Sequence, residues 1–563
     1  MTRNKLLVAA ASAFVAGAIA PFAPFAMAQI AAPESVETAQ LPTDAFAIGG
    51  LEEGDRALPG TLWADADPQV LDFLLSHAPV RPASPSLGDA MRRTLLSPGA
   101  KPAGADPSLG GKKLLALARA GFVDEARNIA SLATTGRNDL AVAEADATIS
   151  LLGGDADSAC RRGAGLSGGR EAIFWVRLRA FCYARAGELD AFDLTMNLLR
   201  ERGALSQADE ALFFAAAAGA PPKDVPPIKT ALQYAALKTA GVEMSLNDLA
   251  GAEGGVVAAV AGDTDVSNAL RIEATMRALA MGVISPSRLN SLFNGIQFEV
   301  ADLASAVDIA ASRPGDPVTD ALLYQSIAAM TAPEFIRDKA QRISIALARA
   351  DSFHRTYALS HLYAGQIATL EGVIVSPEEA SSFALAAMMT GDSVGAGRWL
   401  SSMVGANESV AALPEALGIE FIDRVNMLSL LDPQTAARIA RGAGVSLLSN
   451  ETGLASGAKA HEDPAVTARI LEAAFDAVAG EKVGQAGLAA LAASSGAAAF
   501  GGEVESVIVE EGLDAAGMPE LGRRHRFERA MAASFAGAPA AGQTAEANED
   551  RGFAPRIKPP KGR

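Results

Sequence analysis

The chain has 563 residues, half of them hydrophobic, which is enough apolar material for a large core and enough length for more than one domain. A formal charge of −17 sets it against nucleic acid and anionic lipid, whose binding needs basic surfaces. Only 5% of residues are aromatic, so alanine and leucine must fill most of the interior, and such small side chains let helices approach closely.

At the N-terminus, Arg3 and Lys5 precede an apolar run, Leu6 to Ala20, that Pro21 ends. Ala26-Met27-Ala28 then offers small residues at the positions a signal peptidase reads. The run is short of the ~20 residues that cross a bilayer. The expectation is a signal peptide over 1–28, cleaved after Ala28, with no stable membrane span afterwards and a periplasmic or secreted location. Loss of Arg3 and Lys5 takes the formal charge from −17 to −19.

Residues 29–60 carry Ala, Pro, Glu and Gly without sustained periodicity and read as a flexible leader. Helix grammar begins at Asp67-Pro68, an N-cap followed by proline at the first helical position. It recurs at Ser285-Pro286, Ser376-Pro377, Asp432-Pro433 and Asp463-Pro464. Ser376 to Glu379 and Thr331 to Glu334 read as capping boxes. A short helical pair is expected over 61–97, a Pro/Gly-rich linker over 98–111 and a helical body over 112–535, in two halves if it breaks near 220–227. Residues 536–563 read as a disordered, locally basic tail. The ambiguous apolar runs Gly255 to Ala261 and Val504 to Val509 are assigned to helix by their neighbours.

The only two cysteines, Cys160 and Cys182, fall in the clearest hairpin signal. Phe174, Trp175, Leu178, Phe181 and Cys182 recur at helix spacing, and Gly187 stops that helix. A glycine-rich turn, Gly163 to Gly169, lets the preceding short helix fold back so that the cysteines face each other. In an exported chain this geometry predicts a disulfide.

The helix breaks are self-similar. Ala118-Arg119-Ala120-Gly121-Phe122-Val123-Asp124-Glu125-Ala126 matches Ala184-Arg185-Ala186-Gly187-Glu188-Leu189-Asp190-Ala191, and Met389-Thr390-Gly391-Asp392 to Ala396 follows the same order. Each closes a helix on glycine, opens the next with an acidic residue and places alanine a turn later. This resembles the grammar of tetratricopeptide and related α-solenoid repeats. The resemblance implies an all-α fold of stacked antiparallel helical hairpins, an irregular α-solenoid flanked by a disordered leader and tail.

Catalytic motifs fail on context. Gly165-Leu166-Ser167-Gly168-Gly169 fits G-x-S-x-G, but a nucleophile elbow needs a strand before it, and Cys160 to Ala164 has no strand character. Soluble lytic transglycosylases pair a helical superhelix with a catalytic Glu in a Glu-Ser step followed by Gly-Leu-Met-Gln. Glu34, Glu408 and Glu505 each precede serine here, and that segment follows none of them. His354, Tyr357 and His361, at i, i+3 and i+7, share a helix face with two turns between the histidines, too far apart for one zinc ion. They are the candidate binding surface. No catalytic residue, metal ligand set or cofactor is expected. The reading is an exported scaffold whose partners are envelope proteins, with an envelope polymer-processing enzyme of the lytic transglycosylase type, or a structural surface or appendage component, as alternatives.

Overall fold

Proline at the first helical position and a polar residue before it start many of the helices that a computed structural model shows. Residues 43–51, 55–136, 138–222, 226–404, 464–495 and 502–536 are described. The signal peptide, the tail beyond Ala536, Asp432-Pro433 and Asp463 lie outside them. Among the described residues there are 24 α-helices and no strand, and 68% of those residues are helical.

The first helices are α1 (Pro68–Ser76), α2 (Pro85–Leu96), α3 (Leu109–Ala120), α4 (Val123–Leu132), α5 (Leu140–Leu152) and α6 (Ala156–Ala164). Then come α7 (Ile173–Ala186), α8 (Leu189–Glu201), α9 (Gln207–Ala218), α10 (Ala231–Thr239), α11 (Gly254–Gly262) and α12 (Asn268–Ala280). The next group is α13 (Pro286–Gly295), α14 (Val300–Ala304), α15 (Ala306–Ser312), α16 (Pro317–Ala328), α17 (Ile336–Ala348) and α18 (Phe353–Ala368). The last are α19 (Pro377–Thr390), α20 (Ser393–Val404), α21 (Pro464–Ala479), α22 (Val483–Ala493), α23 (Gly502–Ala515) and α24 (Pro519–Ala536). Both ambiguous apolar runs are helical, as α11 and α23.

Consecutive helices pack as hairpin neighbours: α3 on α4, α7 on α8, α11 on α12, α18 on α19 and α19 on α20. The caps follow the sequence at Asp67, whose carboxylate accepts from the Gln69 and Val70 amides, and at Ser376, which forms a capping box with Glu379. Thr331 to Glu334 is different. A 3₁₀ turn starts there at Pro333 with Ala332 as its cap and no side-chain cap bond.

The core has two clusters that meet at α12, whose Leu270, Ala274 and Ala278 belong to the first and whose Ile272, Met276 and Leu279 belong to the second. Leu212 and Ile228, on either side of 220–227, lie in the same cluster. The stretch between α2 and α3 is non-helical from Ser97 to Ser108. Helix α1 packs on α3, and α3 already begins at Leu109.

Two closures tie the first and last described segments to the other helices. The first involves residues 43–51 of the stretch read as a leader, the earlier part of which lies outside the described residues. Phe46 is 0% exposed and packs 5.4 Å from the Trp63 ring. Backbone bonds run from the Gly50 amide to Leu96 and from the Thr134 amide to Thr43. This segment lacks periodicity because it is held by its backbone and one aromatic anchor, not by a repeating apolar face. In the second closure α22 packs on α1 and α2, and α24 packs on α2 and α18. The Gly484 amide donates to the Leu62 carbonyl at 2.9 Å.

Candidate binding groove

Several inter-helix turns line an open groove of about 1390 Å³. It collects the α3–α4 turn at Gly121, the α5–α6 turn at Gly153 and Gly154, the α11–α12 turn from Gly262 to Asp265 and the α12–α13 turn at Gly282. Gly121 (φ 119°) and Gly282 (φ 70°) take conformations that a side chain disfavours, and this keeps the turns tight. Asp89 and Arg92 of α2 form one rim, and Tyr234 and Lys238 of α10 face into the groove with Arg185 of α7.

Charge covers this wall, and much of it is paired within the wall. Arg92 meets Asp55 at 2.5 Å and Arg127 meets Asp124 at 2.5 Å. Lys238 bridges Asp263 at 2.6 Å and Asp265 at 3.2 Å. The Tyr234 hydroxyl donates to Asp263 at 2.7 Å. Burial acts against the charge on Lys238, yet its hydrogen bonds to the two aspartates outweigh burial and hold its ammonium above the usual lysine value. The same bonds keep Asp263 below the usual carboxylate range despite its own burial. Asp89 is different. Burial raises its carboxyl, and Arg93 and Arg92 only partly offset that. The lining holds six carboxylates and five basic side chains, so it is close to neutral in a chain of charge −17.

A second recess of about 690 Å³ lies alongside, lined by Ser150, Asp155 and Arg162 and sharing Arg127 and Gly153 with the groove. Helix α6 stands at this boundary, with Ala156 on the groove and Arg162 on the recess.

The expected disulfide is present: Cys160 of α6 joins Cys182 of α7, with their Cα atoms 5.8 Å apart. The Gly165 to Gly169 motif is the turn between these helices, with Gly165 capping α6 and no strand before Ser167. In the histidine stripe Tyr357 is 8% exposed, while His354 and His361 are partly exposed, and α12, α13, α17, α19 and α24 pack on α18. The His354 Nε2 lies 2.8 Å from the Glu273 carboxylate of α12. Glu273 is held down to about 2, since bonds to His354 and Arg277 overcome its burial. His361 is pushed down to about 4 by burial and by Arg524. Glu505 lies on α23 and does not line the groove, and Glu34 and Glu408 lie outside the described residues.

No group of three His, Cys, Asp or Glu side chains able to hold a metal occurs among the described residues. The groove residues were not singled out from sequence, since they come from four inter-helix turns together with α2, α7 and α10. One signal did point there: the repeated glycine-then-acid break at Gly121, Asp124 and Glu125 forms part of the wall. Comparison with protein-family models, with curated proteins and with solved structures finds no match.

Proposed function

We propose that the protein is an exported helical scaffold of the cell envelope that holds a polypeptide partner in the turn-lined groove. The groove itself carries the reading. Its volume of about 1390 Å³ exceeds the roughly 300–1,000 Å³ of small-ligand pockets. Its charged wall asks for an occupant that can replace water's hydrogen bonds. Near balance of the two signs suits a chain carrying both. Tyr234, the aromatic residue of the lining, is 4% exposed with its hydroxyl tied to Asp263, so it offers no ring face for a sugar to stack on.

Export is supported by the leader sequence and by the disulfide, which oxidising compartments favour. No helix among the described residues is long and apolar enough to cross a membrane. The test is affinity capture of the mature protein from its own envelope, in parallel with the double variant Asp124→Lys/Lys238→Glu. A polypeptide recovered with the native protein and lost from the variant is the expected result. Equal recovery with both would remove the groove from the binding site.

A further inference from the structure

Helix α6 is held to the stack by little apolar surface. Its buried residues are Ala159 and Gly163 alone, whereas α7 buries Trp175, Val176, Leu178, Ala180, Phe181 and Ala184. Its polar ties are modest too. Arg162 reaches Asp146 at 3.3 Å, and Arg185 forks onto Asp157 with its second nitrogen 3.2 Å from the carboxylate. Asp157 is 63% exposed, and ion pairs so open to water contribute little. Helix α6 packs along α5 and more sparsely on α7, and the disulfide is its one covalent tie among the described residues. Both cysteines are partly exposed residues. Local opening free energy follows buried contact, and α6 has less of it than its neighbours.

We propose that the Cys160–Cys182 disulfide is a redox-operated latch that fixes α6 as the wall between the groove and the side recess. A dithiol reductant attacks one sulfur through its thiolate, forming a mixed disulfide and releasing the other cysteine as a thiol. Its second thiolate then closes the reductant's own disulfide and releases the second cysteine. The protein gains two electrons and two protons, and the reductant loses both. With the bond open, α6 detaches and the wall carrying Ala156, Asp155 and Arg162 is withdrawn. The two recesses, which already share Arg127 and Gly153, merge into one. The effect on a bound partner rests on the groove reading above, but the motion of α6 does not.

The experiment is amide hydrogen exchange on the full chain with and without dithiothreitol, read peptide by peptide. Exchange across residues 159–165 should rise on reduction at least ten-fold more than exchange across α5 and α7. The double variant Cys160→Ser/Cys182→Ser should show the same local rise without reductant. Unchanged exchange in α6 would overturn the latch, because packing alone would then hold the helix. A uniform rise over α5 to α8 would overturn it as well, since the bond would then support the whole fold. The charge variant Asp124→Lys/Lys238→Glu keeps both cysteines, so failure of the groove reading leaves the α6 result intact.

Discussion

The Lys113 ammonium lies 2.8 Å from the Phe46 carbonyl oxygen inside the protein, with the lysine 1% exposed. A second bond of 2.8 Å reaches the Ile48 carbonyl. One side chain of α3 thus anchors the N-terminal segment that its composition marked as flexible. Burial pushes the Lys113 ammonium down to about 7 from 10.5, against the pull of Asp44. The unfolded chain keeps that proton up to 10.5. Between those values the unfolded state binds the extra proton, so stability falls as pH drops from about 10 to 7 and then levels off. The slope from this group approaches 1.4 kcal/mol per pH unit at most. Urea unfolding of the native protein and of Lys113→Met between about pH 7 and 9 should show that slope in the native protein and its absence in the variant.

The C-terminal closure rests on Glu528. It is 1% exposed, and it accepts from the Ser86 amide at 3.0 Å, the Ser86 hydroxyl at 2.9 Å and the Arg524 guanidinium at 3.1 Å. Beside it the Ser84 hydroxyl and the His525 Nδ1 stand 2.9 Å apart. Glu528 therefore caps α2 from a helix more than four hundred residues away. Glu528→Ala would strand the Ser86 donors and leave Arg524 without this carboxylate, at a cost of about 3–5 kcal/mol. Glu528→Gln keeps an acceptor for Ser86 and should lose less. Chemical denaturation ranks the two variants, and amide exchange in α2 and α24 shows where the loss falls.

These two closures mark the limit of what the sequence made legible. Local signals were readable because they act within a turn or a hairpin: proline after a cap at Pro68 and Pro377, glycine stops at Gly121 and Gly187, and two cysteines on either side of a glycine-rich turn. The disulfide followed from such local geometry. Phe46 and Glu528 gave no local signal, since each finds its partners far along the chain. The groove was hidden for the same reason, as Asp89, Lys238 and Asp263 meet only after the helices stack. Spacing placed His354, Tyr357 and His361 on one face of a helix without saying how much of it other helices cover: Tyr357 is buried, and the two histidines are partly exposed.

Loss of the disulfide should also lower overall stability. The bond spans a sequence separation of 22, and closing a loop of that length stabilises by about 3 kcal/mol in the chain-entropy account. Denaturation with and without dithiothreitol measures the difference. Alkylation of the native protein before reduction should modify neither cysteine, and two labelled thiols would contradict the bond.

Two glycines test how closely the helices approach. Gly88 of α2 lies against the α12–α13 turn, where an added Cβ would overlap the Met281 carbonyl oxygen and crowd Gly282. Gly365 of α18 is exposed, and the space that a methyl group would take there is open. Alanine in place of glycine favours a helix by up to about 1 kcal/mol. At Gly365 that gain stands alone, so Gly365→Ala should raise stability by roughly 0.5–1 kcal/mol. At Gly88 the methyl meets backbone, which cannot swing aside as a side chain does, and overpacking of this kind costs about 1–3 kcal/mol or more. The clash outweighs the propensity gain, so Gly88→Ala should destabilise. Thermal or urea unfolding of the two variants should move in opposite directions, and a stabilised Gly88→Ala would mean that α2 and the turn do not touch there.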